Sequence, residues 1–130
     1  MNKKILIVED DLPTLKLIEE SLKMEGFEID SAMFGKEAIE KLEEIRGGKR
    51  EKPDLILLDL ILPDMNGIEI LKELKKYPET EDIKIFAFTN YSDPEMNEQL
   101  IKEGIDKIIL KAEISLKELV GMIKKEIEQK

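Results

Sequence analysis

Lys4-Ile5-Leu6-Ile7-Val8-Glu9-Asp10-Asp11 is the stretch that decides the fold. A short apolar run bounded by charge reads as a buried strand, and this one stops on three carboxylates. Three later runs repeat the design. Asp54-Leu55-Ile56-Leu57-Leu58 stops at Asp59, Ile83-Lys84-Ile85-Phe86-Ala87-Phe88 at Thr89, and Lys107-Ile108-Ile109-Leu110 at Lys111. Each strand delivers a polar or charged residue at its carboxyl end. In an open parallel α/β sheet those ends lie along one edge, and ligands bind there.

Helical patterns fill the intervals. Asp11 caps a helix with Pro13 in its first turn, and Leu15, Ile18 and Leu22 share one face. Gly26 closes that helix, and residues 27–32 read as a second strand. Ala38, Ile39, Leu42 and Ile45 mark the second helix, and the polar residues 47–53 break it. Residues 60–67 carry turn chemistry, with Asp64 read as a turn residue beside Pro63. The third helix presents Ile68, Leu71 and Leu74 and ends at Tyr77-Pro78. Ser92-Asp93-Pro94-Glu95 reads as a capping box that opens a fourth helix presenting Met96, Leu100 and Ile101, with Gly104 as its stop. Ser115-Leu116-Lys117-Glu118 is a second capping box, and the last helix carries the stripe Leu116, Leu119, Val120, Ile123 and Ile127. The alternation predicts an α/β fold: a doubly wound, five-stranded parallel sheet with five helices on both faces. In the flavodoxin-like order 2-1-3-4-5 the first and third strands are neighbours at the switch point. That order sets Glu9-Asp10 beside Asp59, then Thr89, then Lys111.

The composition narrows the chemistry. A length of 130 residues predicts one domain over 1–130, expected to stand alone without an output domain. The chain is 42% hydrophobic and 39% charged, as a compact soluble protein would be. No run approaches the roughly 20 apolar residues of a membrane span, and the N-terminus lacks a signal-peptide pattern. The expected location is therefore the cytoplasm, with no membrane partner. The absence of Cys excludes a disulfide framework and thiolate zinc. The absence of His excludes imidazole acid–base chemistry, and the chain cannot be its own phosphohistidine donor. A net charge of −9 argues against nucleic acid as a partner.

The residues at the strand ends are the parts of a magnesium-dependent aspartyl-phosphate site. An incoming phosphoryl group and an attacking carboxylate are both anionic, and Mg²⁺ relieves both repulsions while preferring carboxylates, phosphate oxygens and water. Glu9 and Asp10 can supply carboxylates. Asp59 can give one oxygen to the metal and use the other as nucleophile. Lys111 suits one phosphoryl oxygen, and Thr89 can donate a hydrogen bond to another.

Glu9-Asp10, Asp59 followed by Pro63 and Gly67, Thr89 and Lys111 resemble the receiver domain of two-component response regulators, in the chemotaxis-type, stand-alone form. The likeness spans about residues 3 to 128. It implies that Asp59 accepts a phosphoryl group from a sensor histidine kinase or a phosphotransfer protein. It also implies Mg²⁺ ligation by Asp10, Asp59 and the backbone carbonyl of Ile61, with Glu9 acting mainly through water. Such a domain is a switch that assists its own phosphorylation and dephosphorylation, not a conventional enzyme. It signals to an effector protein through the face of helix four, strand five and helix five.

Several positions depart from the family pattern. Asn90 stands where a small residue usually follows the Thr. Ala112 stands where Pro usually follows the Lys in a cis bond; the expectation is a cis Lys111–Ala112 bond despite its cost of roughly 3 kcal/mol. Ile108 replaces the aromatic that usually turns inward on activation. Tyr91 is the nearest aromatic and is expected to gate the pocket. Ile61 and Tyr91, each two residues past a site residue, are both bulky, and the resemblance implies slow dephosphorylation. These departures leave one rival, a receiver-like interaction module that no longer phosphorylates. A haloacid-dehalogenase-type phosphatase would need a second Asp where Ile61 stands. A nucleotide binder would need a glycine-rich loop where Glu9-Asp10-Asp11 would repel phosphate.

Overall fold

The computed structural model of the chain describes residues 2–91 and 93–128. Strands and helices alternate as β1 Lys4–Val8, α1 Leu12–Met24, β2 Glu28–Ala32, α2 Gly35–Arg46, β3 Leu55–Leu58, α3 Gly67–Lys76, β4 Lys84–Thr89, α4 Pro94–Lys102, β5 Lys107–Leu110 and α5 Leu116–Glu128. The strands pair in parallel in the order β2-β1-β3-β4-β5, as the alternation predicts.

Side chains alternate across the sheet with a period of two, which divides the core into two layers. Leu6, Val8, Ile56, Leu58, Ile85 and Ala87 face α2, α3 and α4, meeting Ala38, Leu42, Leu71, Leu74 and Leu100. Ile5, Ile7, Leu55, Leu57, Phe86 and Phe88 face the other way, onto Leu15, Ile18 and Leu22 of α1 and Leu119, Val120, Ile123 and Ile127 of α5. The strands can be apolar throughout because both sheet faces are covered.

Helix ends follow local chemistry. Asp11 accepts from the backbone of Thr14 at 3.1 Å, with Pro13 in the first turn. Ser115 and Glu118 satisfy each other's backbone amides at 3.1 and 2.8 Å, a reciprocal capping box. Gly26 and Gly104 follow α1 and α4 at φ of +94° and +93°, where a side chain would be strained.

Two readings of α4 change. Its cap is Asp93, which accepts from Glu95 N at 3.2 Å, one residue later than a Ser-first box; Ser92 lies outside the described residues. Ile101 is 67% exposed, so only Leu100 of the expected apolar set is buried. Met96 and Leu100, four residues apart, share the face toward the sheet, with Met96 half-buried against the core, and Ile101 lies about 100° further round the helix. The second strand starts at Glu28, with Phe27 already buried before it.

Candidate functional site

The sheet register sets the site. Val8 pairs with Leu58, Leu58 with Ala87, and Thr89 with Leu110. The next residues therefore emerge side by side: Glu9 after β1, Asp59 after β3, Lys111 after β5. Backbone bonds carry the pairing into the site itself, with Asp59 N donating to Val8 O at 2.9 Å and Glu9 N to Ala32 O at 3.0 Å.

Glu9 and Asp59 are 2% and 7% exposed, and Asp10 is more accessible than either. One carboxylate oxygen from each lies within 4.8 Å of the others. Lys111 Nζ donates to Glu9 Oε1 at 2.7 Å and to Asp59 Oδ2 at 3.2 Å. The opposite oxygens accept from backbone: Glu9 Oε2 from Asp11 N at 3.1 Å, and Asp59 Oδ1 from Ile61 N at 3.3 Å. Burial pushes the Glu9 carboxyl above its ordinary range, and the nearby Asp59 charge adds to this against the bonds from Lys111 and Asp11. Burial by itself would lower the Lys111 pKa; the hydrogen bond to Glu9 and the Asp59 and Glu9 charges outweigh it and hold the ammonium charged.

Three carboxylates cluster, and one ammonium, bonded to Glu9 and Asp59, answers them, so the cluster is short of positive charge. The candidate ligand atoms are all hard carboxylate oxygens, the set Mg²⁺ selects, and no imidazole or thiolate is present to favour a softer metal. The residues fit a divalent cation.

A cavity of about 290 Å³ opens beside this cluster, lined by Asp59, Ile61, Thr89, Asn90, Tyr91 and Lys111. Thr89 is fully buried, and its Oγ1 accepts from Tyr91 N at 3.1 Å, which leaves the hydroxyl proton to donate. All the residues expected at the site except Ile108 and Ala112 are thus either in the carboxylate cluster or on the wall of one cleft.

The family model for the response regulator receiver domain matches residues 5–124. This chain is a member of that family. It is 34% identical over 124 residues to the phosphate regulon transcriptional regulatory protein PhoB of Rhizobium meliloti (strain 1021), covering 95% of this chain and 52% of PhoB. The chain thus spans about half the length of that relative. The phosphorylated cyanobacterial phytochrome response regulator RcpA superimposes with a TM-score of 0.86 at 27% identity, over 99% of this chain and 96% of its own. The Mn²⁺-bound form of response regulator Rcp1 matches with a TM-score of 0.86 at 27% identity, over 98% and 96%. Receiver domains are phosphoacceptor switches of two-component signalling, and the family binds Mg²⁺ in its acidic pocket.

In this receiver the Lys111–Ala112 bond is trans, against the cis expectation: no described residue has a cis peptide. The chain turns instead through a 3-10 helix, Lys111–Glu113, which begins at the Lys itself. Nothing forces a non-proline bond to take the costlier isomer when a helical turn already aims the ammonium at both carboxylates. Ile108 pairs with Ala87 and packs, half-buried, on the side of α4. Ile61 and Tyr91 are 53% and 45% exposed at the mouth of the cleft, and Asn90 sits between Thr89 and Tyr91 on its wall.

Two residues quoted from the sequence, Gly67 as part of the motif and Asp64 as a turn residue, have roles that only the structure gives. Gly67 N donates to Leu60 O at 2.7 Å, and a Cβ on Gly67 would lie 2.8 Å from Asp59 O, so only glycine lets α3 start this close to the end of β3. Asp64 accepts from two backbone amides of α2, far away in sequence. The signal for it was indirect: α2 begins after Met33-Phe34, which offer no capping side chain.

Proposed function

We propose that this receiver takes a phosphoryl group on Asp59 from a phosphohistidine of a sensor kinase or phosphotransfer protein. The observation that carries the reading is the convergence of Glu9, Asp10 and Asp59 on one another within 4.8 Å, bridged by Lys111 and opening on the Thr89 cleft. Asp10, Asp59 and the Ile61 carbonyl would hold Mg²⁺, with Glu9 acting through water. When bound, the ion neutralises the charge on acceptor and phosphoryl group.

The chain's own residues supply the rest. An Asp59 oxygen attacks phosphorus; the P–O bond forms as the P–N bond breaks, and the imidazole nitrogen leaves with the electron pair and takes a proton from water. Lys111 shifts from its two carboxylates toward one phosphoryl oxygen, and the Thr89 hydroxyl donates to another. In a separate hydrolytic step water attacks phosphorus, the P–O bond to Asp59 breaks with the electron pair returning to the carboxylate, and inorganic phosphate leaves carrying the protons of the water. Ile61 and Tyr91 cover the approach of that water, which supports a long-lived phosphoryl group. Output passes to an effector protein through α4, β5 and α5, where the exposed Ile101 offers an apolar contact. The receiver domain acts in the cytoplasm, without nucleic acid or membrane contact of its own.

Intact mass after incubation with acetyl phosphate tests the reading. One added phosphoryl group that requires Mg²⁺ and is lost in Asp59→Asn supports it. No uptake from several donors would instead make the domain an interaction module.

A further inference from the structure

The segment between β3 and α3 does more of the site's work than any other connection. Ile61 N holds Asp59 Oδ1, and the Ile61 carbonyl is the backbone oxygen assigned to the cation. Ile61 itself is exposed, between the buried Leu60 and Leu62, and the base of the segment is tied by Gly67 N to Leu60 O at 2.7 Å, Leu62 N to Met65 O at 3.3 Å, the Ile61–Asn66 bridge and the Asn66 cap on Ile68 N at 3.0 Å; these ties leave the exposed tip, Pro63-Asp64, to be held from outside the segment. A tip fastened at a second point holds the segment's ångström-scale geometry better than its base alone.

The anchor is the start of α2, remote in sequence and adjacent in space. Asp64 Oδ1 accepts from Gly35 N at 2.7 Å and Oδ2 from Lys36 N at 2.9 Å, so both oxygens are spent on the first turn of α2. That helix cannot cap itself, since Phe34 occupies the N-cap with extended φ and ψ and has no side-chain acceptor. Beside this bond the Met65 side chain lies directly over Gly35, where any Cβ would overlap Met65 Cγ and Sδ. Asp64 and Met65 thus clip the loop to α2 by a charged bond and an apolar one. The two amides hold the Asp64 carboxyl below its ordinary range, so the clip is charged at neutral pH and complements the helix N-terminus.

We propose that Asp64 is a positioning residue of the phosphoacceptor site: it fastens the β3–α3 segment to α2 and thereby fixes Ile61 and the orientation of the Asp59 carboxylate. The proposal rests on the phosphoacceptor reading of Asp59. The α2 cap and the loop anchor are one carboxylate, so the first turn of α2 and the acceptor loop move together.

The test separates anchoring from helix capping. Three variants are compared with wild type: Asp64→Ala; Asp64→Asn, which keeps a single acceptor oxygen; and Asp64→Ala with Phe34→Ser, which returns a local cap to α2 without re-tying the loop. Amide hydrogen exchange at Ile61 and Leu62 is followed in metal-free protein, with Mg²⁺ affinity by calorimetry, phosphoryl uptake from acetyl phosphate, and thermal midpoint. Asp64→Ala is expected to speed exchange at Ile61 and weaken Mg²⁺ binding about tenfold, in the range seen when groups behind a metal ligand are removed. Uptake falls more at limiting than at saturating Mg²⁺, and Asp64→Asn lies between. The double variant recovers its thermal midpoint while exchange and Mg²⁺ affinity stay at Asp64→Ala values. Wild-type exchange and affinity in Asp64→Ala, or recovery of both in the double variant, would overturn the proposal and leave Asp64 a helix cap only. Where Asp64→Ala alone fails to fold, the Asn and double variants decide in the same way. A wild-type protein that takes up neither Mg²⁺ nor phosphate would sink the phosphoacceptor reading, while Ile61 exchange would still decide whether Asp64 holds the loop.

Discussion

Two clusters in this molecule gather carboxylates and cations in partly buried positions, and they are built on opposite principles. At the β2 edge Asp30 meets Lys41 Nζ at 2.8 Å and Arg50 Nη1 at 2.6 Å, and Arg50 Nε meets Glu44 at 2.7 Å. Two acids face two bases, and each fork of Arg50 is used. Burial would raise the Asp30 pKa, but the Lys41 bond and the Lys41 and Arg50 charges turn the shift downward. At the carboxyl edge Glu9 and Asp59 share Lys111, Asp10 adds a third carboxylate beside them, and the Glu9 pKa is raised. The first cluster is closed, and its bonds tie strand to helix. The second is left two positive charges short, the charge of one divalent cation. Charge completeness separates a brace from a reactive site more sharply than burial does.

The widest break in that contrast comes from the acceptor itself. Asp59→Asn is expected to abolish phosphoryl uptake and the stabilisation by Mg²⁺ together; that stabilisation in wild type should approach about 2.7 kcal/mol at a hundred times the dissociation constant, read from urea unfolding with and without Mg²⁺. Lys111→Ala strips the reactive cluster of its one cation. It should cost about 2 kcal/mol in metal-free buffer, by leaving buried carboxylates uncompensated, and Mg²⁺ should restore part of the loss. Opening the cleft by Ile61→Ala with Tyr91→Ala should shorten the phosphoryl lifetime about tenfold, equivalent to about 1.4 kcal/mol of barrier, followed by loss of the added mass with time. Arg50→Ala, in the closed cluster, should cost at most about 1 kcal/mol and leave phosphoryl uptake at the wild-type rate.

The finest distinction is the sign of pH dependence in metal-free protein. The Asp30 carboxyl is depressed, so its stabilisation is present above the ordinary value of 3.8 and is lost as pH falls through its lower folded value. The Glu9 carboxyl is raised, so its contribution is fully present below the ordinary value of 4.5 and is lost as pH rises through its higher folded value. Asp30→Asn should flatten the acid side of the stability profile, and Glu9→Gln should flatten the stretch above 4.5. Profiles that change in the same sense would dissolve the comparison.

What could be read in the sequence was whatever the chain writes locally. Glu9, Asp59, Thr89 and Lys111 each end or directly follow an apolar run, and a parallel sheet brings those ends together by topology alone. The caps at Asp11 and Ser115 bind their own first turns, so spacing within four residues reveals them. Asp64 and Arg50 were illegible for the same reason in reverse. Their partners lie 28 and 20 residues away, and no local period marks such a bond. Ile101 misled because helical spacing names a face but not how wide the buried part of that face is. The Lys111–Ala112 bond misled because the turn needed to aim an ammonium has more than one backbone solution, and without proline the chain takes the trans one.

The bond from Lys111 to Glu9 spans 102 residues. A chain emerging from the ribosome exposes its first acidic pair long before the lysine that answers it exists, and the acceptor strand arrives between them. Until the last strand docks, the acidic residues are ordinary solvated side chains with no reason to react. On the proposed function, the acceptor is complete only in a finished molecule: a copy whose last strand is undocked lacks the ammonium that faces Glu9 and Asp59.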